Sequence, residues 1–169
     1  FAIRETSWHG FDLSGKLAAI RLDWRRPVDS TGLYVKRHEN WGPPLAALYP
    51  TGPGVVLDVR QSTIEQQAAW LQQEAPTHLV GFGVGLQALA RHCLAHDIRL
   101  PSIRSVYSQG ETLTDTARAA CLEAWGVEVV DNYSAVEAGY IALQCPDHPH
   151  LHIQSESALV EILAQDGRP

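Results

Sequence analysis

The sequence predicts an α/β fold in which a mostly parallel sheet is flanked by helices. From residue 55 onward, short runs rich in β-branched and apolar residues alternate with stretches whose apolar residues recur at helical spacing. Successive βα units of this kind build parallel sheets. The pattern predicts four strands in this region, at 55–59, 78–82, 103–108 and 127–133. Further strands are predicted at 17–22, 141–145 and 159–163.

Three helices are predicted between these strands. The first begins at a capping box formed by Ser62 and Glu65, whose side chains can satisfy the free amides of a first helical turn. The second covers about 86–96 and the third about 115–125. Gly126 follows the third helix and favours the left-handed conformation that ends many helices.

We expect a single domain made of three segments. Residues 1–54 form a loop-rich segment with one strand, 55–140 form a core of βα repeats, and 141–169 form a β-hairpin-like segment. The sequence contains no methionine, so the natural initiator is absent. We therefore expect the chain to be a piece of a longer protein, with its last segment truncated.

Charge and composition exclude several classes of partner. The formal net charge is -6 at pH 7, so we expect neither nucleic acid nor an anionic membrane surface to bind. No apolar run approaches the roughly 20 residues that cross a bilayer, and the first residues do not resemble a signal peptide. The cysteines, Cys93, Cys121 and Cys145, are odd in number, which favours free thiols in a reducing, cytoplasmic setting.

A glycine cluster at 81–85 follows one predicted strand and precedes a helix. It resembles a dinucleotide-binding turn, but the third glycine of that fingerprint would fall on Leu86. The alternative is a loop whose glycines let the backbone pack tightly or line the wall of a pocket. The sequence also lacks a P-loop motif and a hydrolase nucleophile elbow, so neither chemistry has its usual signal.

Polar residues lie at the ends of two neighbouring predicted strands, at 108–111 and at 131–137. Because the carboxyl ends of parallel strands share one edge of a sheet, we expect these two loops to lie side by side. Gly110 allows a close backbone approach, Tyr133 offers a flat face to a base, and Glu137 can hold a hard cation. The loops form either a ligand crevice or ordinary turns at strand ends.

The same residues carry a resemblance to a known family. The run VVDNYSAVEAG at 129–139 resembles the D-x-Y-G-x-S/T-E element of adenylate-forming enzymes, as phenylacetate-CoA ligases carry it. The run SQGETL at 108–113 resembles the S-G-G-E-x-L loop that precedes this element. Shorter segments at 8–10, 49–53 and 152–156 are similar to segments of ligase-like relatives. In this order, the similar segments span nearly the whole chain.

The resemblance implies a site for the adenine of ATP. One wall of the adenine slot would be formed by three residues, Gly110, Glu111 and Thr112. Tyr133 would stack on the other face of the base. Asp131, together with the backbone of Asn132, would accept a hydrogen bond from the adenine amine.

The phosphate end of this site departs from the family pattern. Glu137 would bind the Mg²⁺ ion that offsets the repulsion between two anions. The family's hydroxyl residue before this glutamate is Val136 here, so Ser134 or a backbone amide would have to replace its donor. Only residues 5–7 hint at the family's Ser/Thr/Gly-rich phosphate loop. The family's ribose-binding aspartate and catalytic lysine would follow residue 169, so we expect the isolated chain to be inactive.

The resemblance also implies a reaction. A carboxylic acid and ATP would give an acyl-AMP and pyrophosphate, and the acyl group would then pass to coenzyme A. The rival hypothesis is a non-catalytic, Rossmann-like or receiver-like module that binds a nucleotide or a partner protein. A receiver would need an acidic cluster at the end of its first strands, where Asp58 stands alone.

A separate group of candidate ligands lies in the last segment. Within eight positions the sequence has four thiol or imidazole side chains, those of Cys145, His148, His150 and His152. Thiolate and imidazole are the ligands that zinc prefers. The segment is therefore either a zinc site or a solvated hairpin turn rich in histidine.

Overall fold

The computed structural model describes residues 2–22 and 32–168. The helices are α1 (Ala2–Trp8), α2 (Ile64–Glu74), α3 (Gly83–Ala95) and α4 (Asp115–Trp125). The strands are β1 (Leu17–Arg21), β2 (Val35–His38), β3 (Gly54–Asp58), β4 (His78–Gly81), β5 (Ser105–Ser108), β6 (Val129–Val130), β7 (Asn132–Ala135), β8 (Gly139–Gln144) and β9 (Leu151–Ile153). No helix in this described part of the chain combines the length and the apolar character that crossing a membrane requires.

Six strands form the main sheet in the order β2-β3-β1-β4-β5-β6. Neighbouring strands are parallel except for β2, which runs antiparallel to β3. The predicted α/β fold with a mostly parallel sheet is therefore confirmed. Because β4, β5 and β6 are successive parallel neighbours, the loops that follow them leave the same edge of the sheet.

Helices α2, α3 and α4 form one row, with α3 beside both of the others. Between this row and the sheet lies the hydrophobic core, in which Leu57, Leu79 and Val106 from strands meet Leu71 from α2. These four side chains are fully buried. Burial of a leucine contributes about 1.5–3 kcal/mol relative to exposure, so the helix row is held to the sheet mainly by apolar contact.

Side-chain and glycine caps set the ends of α2 and α4. Thr63 Oγ1 accepts a hydrogen bond from the Gln66 amide at 3.3 Å, and Gln66 Oε1 accepts one from the Thr63 amide at 2.9 Å. The capping box therefore exists, but the prediction that Ser62 and Glu65 form it was wrong by one residue, because the Ser62 hydroxyl donates to a backbone carbonyl instead. Helix α4 has its predicted bounds, and Gly126 after it has a φ of 71°.

The face of the sheet opposite the helix row carries aromatic and polar side chains. Tyr107 packs on Phe11, with ring centroids 4.4 Å apart. His78 is edge-on to Phe11 and to Trp41, and its Nδ1 lies 2.6 Å from Ser105 Oγ. Burial lowers the pKa of His78, so this histidine packs as a neutral, hydrogen-bonded side chain.

A second, antiparallel sheet has the strand order β7-β8-β9. Its strands β8 and β9 form an antiparallel hairpin, whereas the sequence predicted that the strand at 141–145 would be followed by one at 159–163. Strand β7 follows β6 after a single residue, Asp131, at which the chain passes from one sheet to the other. The prediction of one continuous strand at 127–133 was therefore wrong. The cause is local, since the Asp131 amide donates to the Gln144 side chain rather than to a strand ladder.

The predicted strand at 159–163 is absent, since these residues have no regular secondary structure. Leu159 and Ile162 are 90% and 86% exposed. Apolar and β-branched residues favour a strand, but a strand also needs a neighbour with free backbone groups, and this run pairs with none of the described strands.

The first segment holds more structure than its glycine and proline content indicated. Strand β1 lies where a strand was predicted, but α1 and β2 were not predicted. Helix α1 includes residues 5–7, so the described residues do not have the loop conformation expected of a phosphate-binding segment there. Part of the predicted loop, at 23–31, lies outside the described residues.

The assigned end of α4 can be tested with a matched pair of glycine variants. Gly126→Ala should lower the free energy of unfolding by about 1 kcal/mol, because an L-residue is strained at positive φ. Gly85→Ala should raise it by about 0.5–1 kcal/mol, because this glycine lies inside α3 and an added Cβ meets nothing within 4 Å. Urea unfolding followed by circular dichroism measures both, and effects of the same sign would contradict the assignment.

Candidate functional site

The candidate site lies where β5 and β6 end. These strands are parallel neighbours, with Tyr107 opposite Val130. The residues that follow them, Ser108 and Asp131, therefore leave the sheet at the same edge. The two loops of the resemblance thus emerge side by side, as the sequence predicted.

The loop after β5 turns toward the start of α3. The Gln109 amide donates to the Gly81 carbonyl at 3.1 Å, and Gly110 has a φ of 78°. A Cβ on Gly110 would lie 3.0 Å from the Phe82 ring. This position therefore needs glycine both for its backbone conformation and for its close approach to an aromatic ring.

Glu111 has a structural role that the sequence did not predict. Its carboxylate accepts a hydrogen bond from the Val84 amide in the first turn of α3. A carboxylate is stabilised there by free amides and the helix dipole. The amide end of α3 is thus already occupied by a negative side chain of the protein. Gly81 serves close packing, since a Cβ on it would lie 3.1 Å from Leu86, whereas a Cβ on Gly85 would meet nothing within 4 Å.

Asp131 is held at the junction of the two sheets with one oxygen unpaired. Its amide donates to Gln144 Oε1 at 3.0 Å, and its Oδ2 lies 3.7 Å from an Arg118 guanidinium nitrogen. Its Oδ1 is buried and has no hydrogen-bond partner among the described residues. Burial raises the pKa of Asp131, and the Arg118 charge opposes that shift. A donor that reached Oδ1 would offset a desolvation cost that the fold leaves uncompensated.

A cavity of about 150 Å³ lies beside this junction. Residues of both strand exits line it together with α1, among them Glu5, Tyr107, Ser108, Gln109, Asn132 and Tyr140. The Ser108 hydroxyl is fully buried and also lacks a hydrogen-bond partner within 2–22 and 32–168. Two unpaired polar atoms, on Ser108 and Asp131, therefore lie at adjacent strand exits.

Glu5 belongs to this cavity, although the sequence indicated it only as part of the hint of a phosphate loop at 5–7. It is 6% exposed, and its Oε1 accepts a hydrogen bond from Asn132 Nδ2 at 3.4 Å. Burial raises its pKa to about 7, and repulsion from Asp131 acts in the same direction while the Asn132 contact opposes it. Helix α1 is more than 120 residues away from Asn132 in the sequence, so no local pattern indicates that Glu5 contacts it.

Among the predicted nucleotide-site residues, Asn132 lines the cavity, whereas the others, Asp131 included, do not. Tyr133 is 57% exposed on β7, and Ser134 and Glu137 are also exposed. Glu137 lies in the turn between β7 and β8. Thr112 is exposed in the loop before α4. Asn132 thus lies at the cavity, whereas the Tyr133 ring and the Glu137 carboxylate are exposed on the β7–β8 hairpin.

The structure also brings together three of the four candidate zinc ligands. One ligand atom from each of Cys145, His150 and His152 lies within 4.8 Å of the other two. His148 is outside this group, and its ring stacks on that of His150 with centroids 5.4 Å apart.

Solved structures resemble this chain over most of its length. The anthranilate CoA ligase AuaEII, determined in complex with anthranoyl-AMP, matches 99% of the chain with a TM-score of 0.62 and 18% identity. VinN matches 99% with a TM-score of 0.60 and 19% identity. A 2-hydroxyisobutyryl-CoA ligase, in complex with 2-HIB-AMP and CoA, matches 85% with a TM-score of 0.54 and 12% identity. Likeness at these identities establishes the fold alone.

The chain spans about a third of the length of these proteins, covering 31% of AuaEII, 40% of VinN and 32% of the 2-hydroxyisobutyryl-CoA ligase. No protein-family model matches the sequence, and no curated protein matches it. The chain therefore has the α/β fold of one portion of these three structures.

The buried position of Glu5 can be tested through the pH dependence of stability. Its folded pKa of about 7 exceeds the ordinary value of 4.5, so the folded state holds the proton more tightly. Stability should therefore be highest below pH 4.5 with respect to this group and should fall as pH rises to 7. The loss should be about 2–3 kcal/mol.

Glu5→Gln should remove this loss, because the amide cannot ionise. Unfolding free energies at pH 5 and pH 8 should show the variant gaining stability relative to wild type as pH rises. Glu123→Gln, at an exposed position of α4, is the control and should follow the wild-type profile. Parallel profiles for wild type and Glu5→Gln would contradict the assigned burial.

Proposed function

We propose that this chain is part of an ATP-dependent, adenylate-forming ligase of the phenylacetate-CoA ligase type. In the proposed reaction, a carboxylate oxygen of the acid attacks the α-phosphorus of ATP and the bond to pyrophosphate breaks. The thiol of coenzyme A then attacks the acyl carbon of the acyl-AMP and AMP leaves. The parent protein is proposed to act in the cytoplasm.

The observation that carries this proposal is the buried, unpaired Oδ1 of Asp131 at the shared exit of β5 and β6. In open α/β sheets, ligands bind outside the carboxyl ends of the strands. An exocyclic amine is a donor that suits an unpaired carboxylate oxygen. We therefore assign Asp131, with the backbone of Asn132, to the adenine amine.

Tyr133 is the proposed stacking residue for the base. Its side chain is 57% exposed, so much of its surface is free of protein contact. The loop from Gly110 to Thr112 supplies the proposed opposite wall, and the left-handed conformation of Gly110 shapes that wall. Because Glu111 also caps α3, we expect its backbone rather than its carboxylate to face the nucleotide.

Glu137 is the proposed ligand for Mg²⁺, which would offset the negative charge of the phosphates. It is exposed in a hairpin turn and free to meet a hydrated cation. Val136 beside it is 100% exposed and has no hydroxyl to donate. Ser134 is exposed two residues earlier, and we propose it as the substitute donor to the α-phosphate.

The likeness in fold to CoA ligases supports this assignment at the level of architecture. The receiver hypothesis has no comparable support. Asp58, its single candidate acidic residue, is 1% exposed and forms an ion pair with Arg60. An aspartate held in this way is not poised to accept a phosphoryl group.

Two variants separate the proposed roles of Tyr133 and Glu137. Tyr133→Ala should weaken ATP binding by about 1–3 kcal/mol, roughly 5- to 150-fold, because base stacking is lost. Glu137→Gln keeps the size of the side chain and removes its charge. It should leave ATP binding without metal unchanged and abolish the gain in affinity that Mg²⁺ provides. Isothermal titration of the 169-residue chain with ATP, with and without Mg²⁺, measures both.

Glu123→Gln is the matched control, since it removes another exposed carboxylate and should alter neither titration. A melting curve for each variant separates binding from stability. Equal losses that do not depend on metal and that follow the melting temperature would remove both residues from the site. We expect no pyrophosphate exchange by the chain itself, because it spans about a third of the ligases that it resembles.

A further inference from the structure

We propose that Cys145, His150 and His152 bind a Zn²⁺ ion on one face of the β8–β9 hairpin. This metal site is separate from the proposed nucleotide site, and the inference does not rest on the proposed function.

The register of the hairpin explains why these three residues converge. Gln144 pairs with Leu151, so the next residues outward, Cys145 and His150, lie opposite each other. The Cys145 amide donates to the His150 carbonyl at 2.8 Å, which fixes this pair. Side chains alternate along a strand, so His152 shares the face of His150. Three ligands on one face are thus a consequence of backbone pairing.

The distances suit a tetrahedral ion after small side-chain rotations. The three ligand atoms lie within 4.8 Å of one another. Zinc–sulfur and zinc–nitrogen bonds of about 2.3 and 2.0–2.1 Å place tetrahedral ligands roughly 3.3–3.6 Å apart. A shift of about 1 Å in each atom is within the reach of imidazole rotation, and no backbone movement is needed.

Within the part of the chain that the structure describes, the three ligand atoms are not engaged in hydrogen bonds, and the thiol is shielded from solvent whereas the imidazoles are accessible. Cys145 is 6% exposed, whereas both histidines are exposed, so an ion could enter from solvent toward the thiol. No side-chain hydrogen bond within the described ranges 2–22 and 32–168 uses the Cys145 sulfur or the rings of His150 and His152. The edge of Trp8 packs near His152, with centroids 5.5 Å apart, and limits the orientations of that ring.

The ligand set selects zinc among common divalent ions. One thiolate and two imidazoles match its borderline-soft character, whereas Mg²⁺ and Ca²⁺ require oxygen ligands. The fourth position is left to a water molecule. His148 is not assigned to it, because its ring stacks on His150 instead of joining the cluster.

A bound ion would join the two strands at the turn end of the hairpin. Cys145 follows Gln144, whose side chain accepts from the Asp131 amide and from Arg118. Metal binding should therefore stabilise the folded hairpin against thermal unfolding, since ligands that bind only the folded state raise its stability.

The test is titration of the reduced, metal-free 169-residue chain with Zn²⁺ against a chromophoric chelator. We expect one ion per chain and a higher melting temperature in its presence. Co²⁺ should give a thiolate charge-transfer band and the intense visible bands of tetrahedral coordination. Cys145→Ala, His150→Ala and His152→Ala should each weaken zinc binding at least about 100-fold. His152→Ala changes an exposed residue, so it remains informative if Cys145→Ala fails to fold.

Matched controls address other thiols and imidazoles. Cys93→Ala removes a buried thiol elsewhere, and His148→Ala removes the neighbouring imidazole, and both should keep zinc affinity within about twofold of wild type. His92 and His96 lie on α3 with ring centroids 4.2 Å apart, and His92→Ala tests whether that pair binds instead. Zinc binding that survives Cys145→Ala but is lost in His92→Ala would overturn the proposal. Loss in His148→Ala equal to that in His150→Ala would overturn the ligand assignment, and absence of the cobalt thiolate band would overturn the role of Cys145.

Discussion

The hydrogen bonds around Asp131 are the constraint on which both candidate sites depend. The Asp131 amide donates to Gln144 Oε1 at 3.0 Å, and the Gln144 amide donates to the Asp131 carbonyl at 3.2 Å. Arg118 joins this pair to the main sheet, since it donates to the Val129 carbonyl at 2.8 Å and to Gln144 Oε1 at 3.2 Å. An unpaired buried polar group costs about 1–3 kcal/mol. The network therefore fixes where the chain turns from one sheet into the other.

This turn determines where the two ends of strand β8 lie relative to the main sheet. Strand β8 begins beside the turn that carries Glu137 and ends at Gln144, next to Cys145. Its six residues span roughly 20 Å, so the proposed magnesium ligand and the proposed zinc cluster lie at opposite ends of one strand. A substitution at one site should therefore leave metal binding at the other unchanged. A substitution that disturbs the junction at Asp131 should displace both.

Elements that depend on interactions between residues near in sequence were predicted well, and elements that depend on distant residues were not. Strand β4 and helix α4 were predicted closely because their signals are local, and Gly126 takes the left-handed conformation that its position indicated. The strand at 127–133 was misjudged because the sequence does not show that Asp131 gives its amide to a side chain. The run at 159–163 has the apolar, β-branched composition of a strand, but composition carries no information about a pairing neighbour.

The same distinction separates the two candidate sites. Sequence order indicated Asp131 because it lies at the end of a predicted strand, but it could not indicate the contact of Glu5 with Asn132, which joins residues 127 positions apart. Cysteine and histidine spacing indicated four zinc ligands without ranking them. Strand register ranks them: Cys145 and His150 pair, and His152 lies two residues along the same face. His148 lies in the turn, outside that register, so a property of the paired backbone rather than of the residue types excludes it from the cluster.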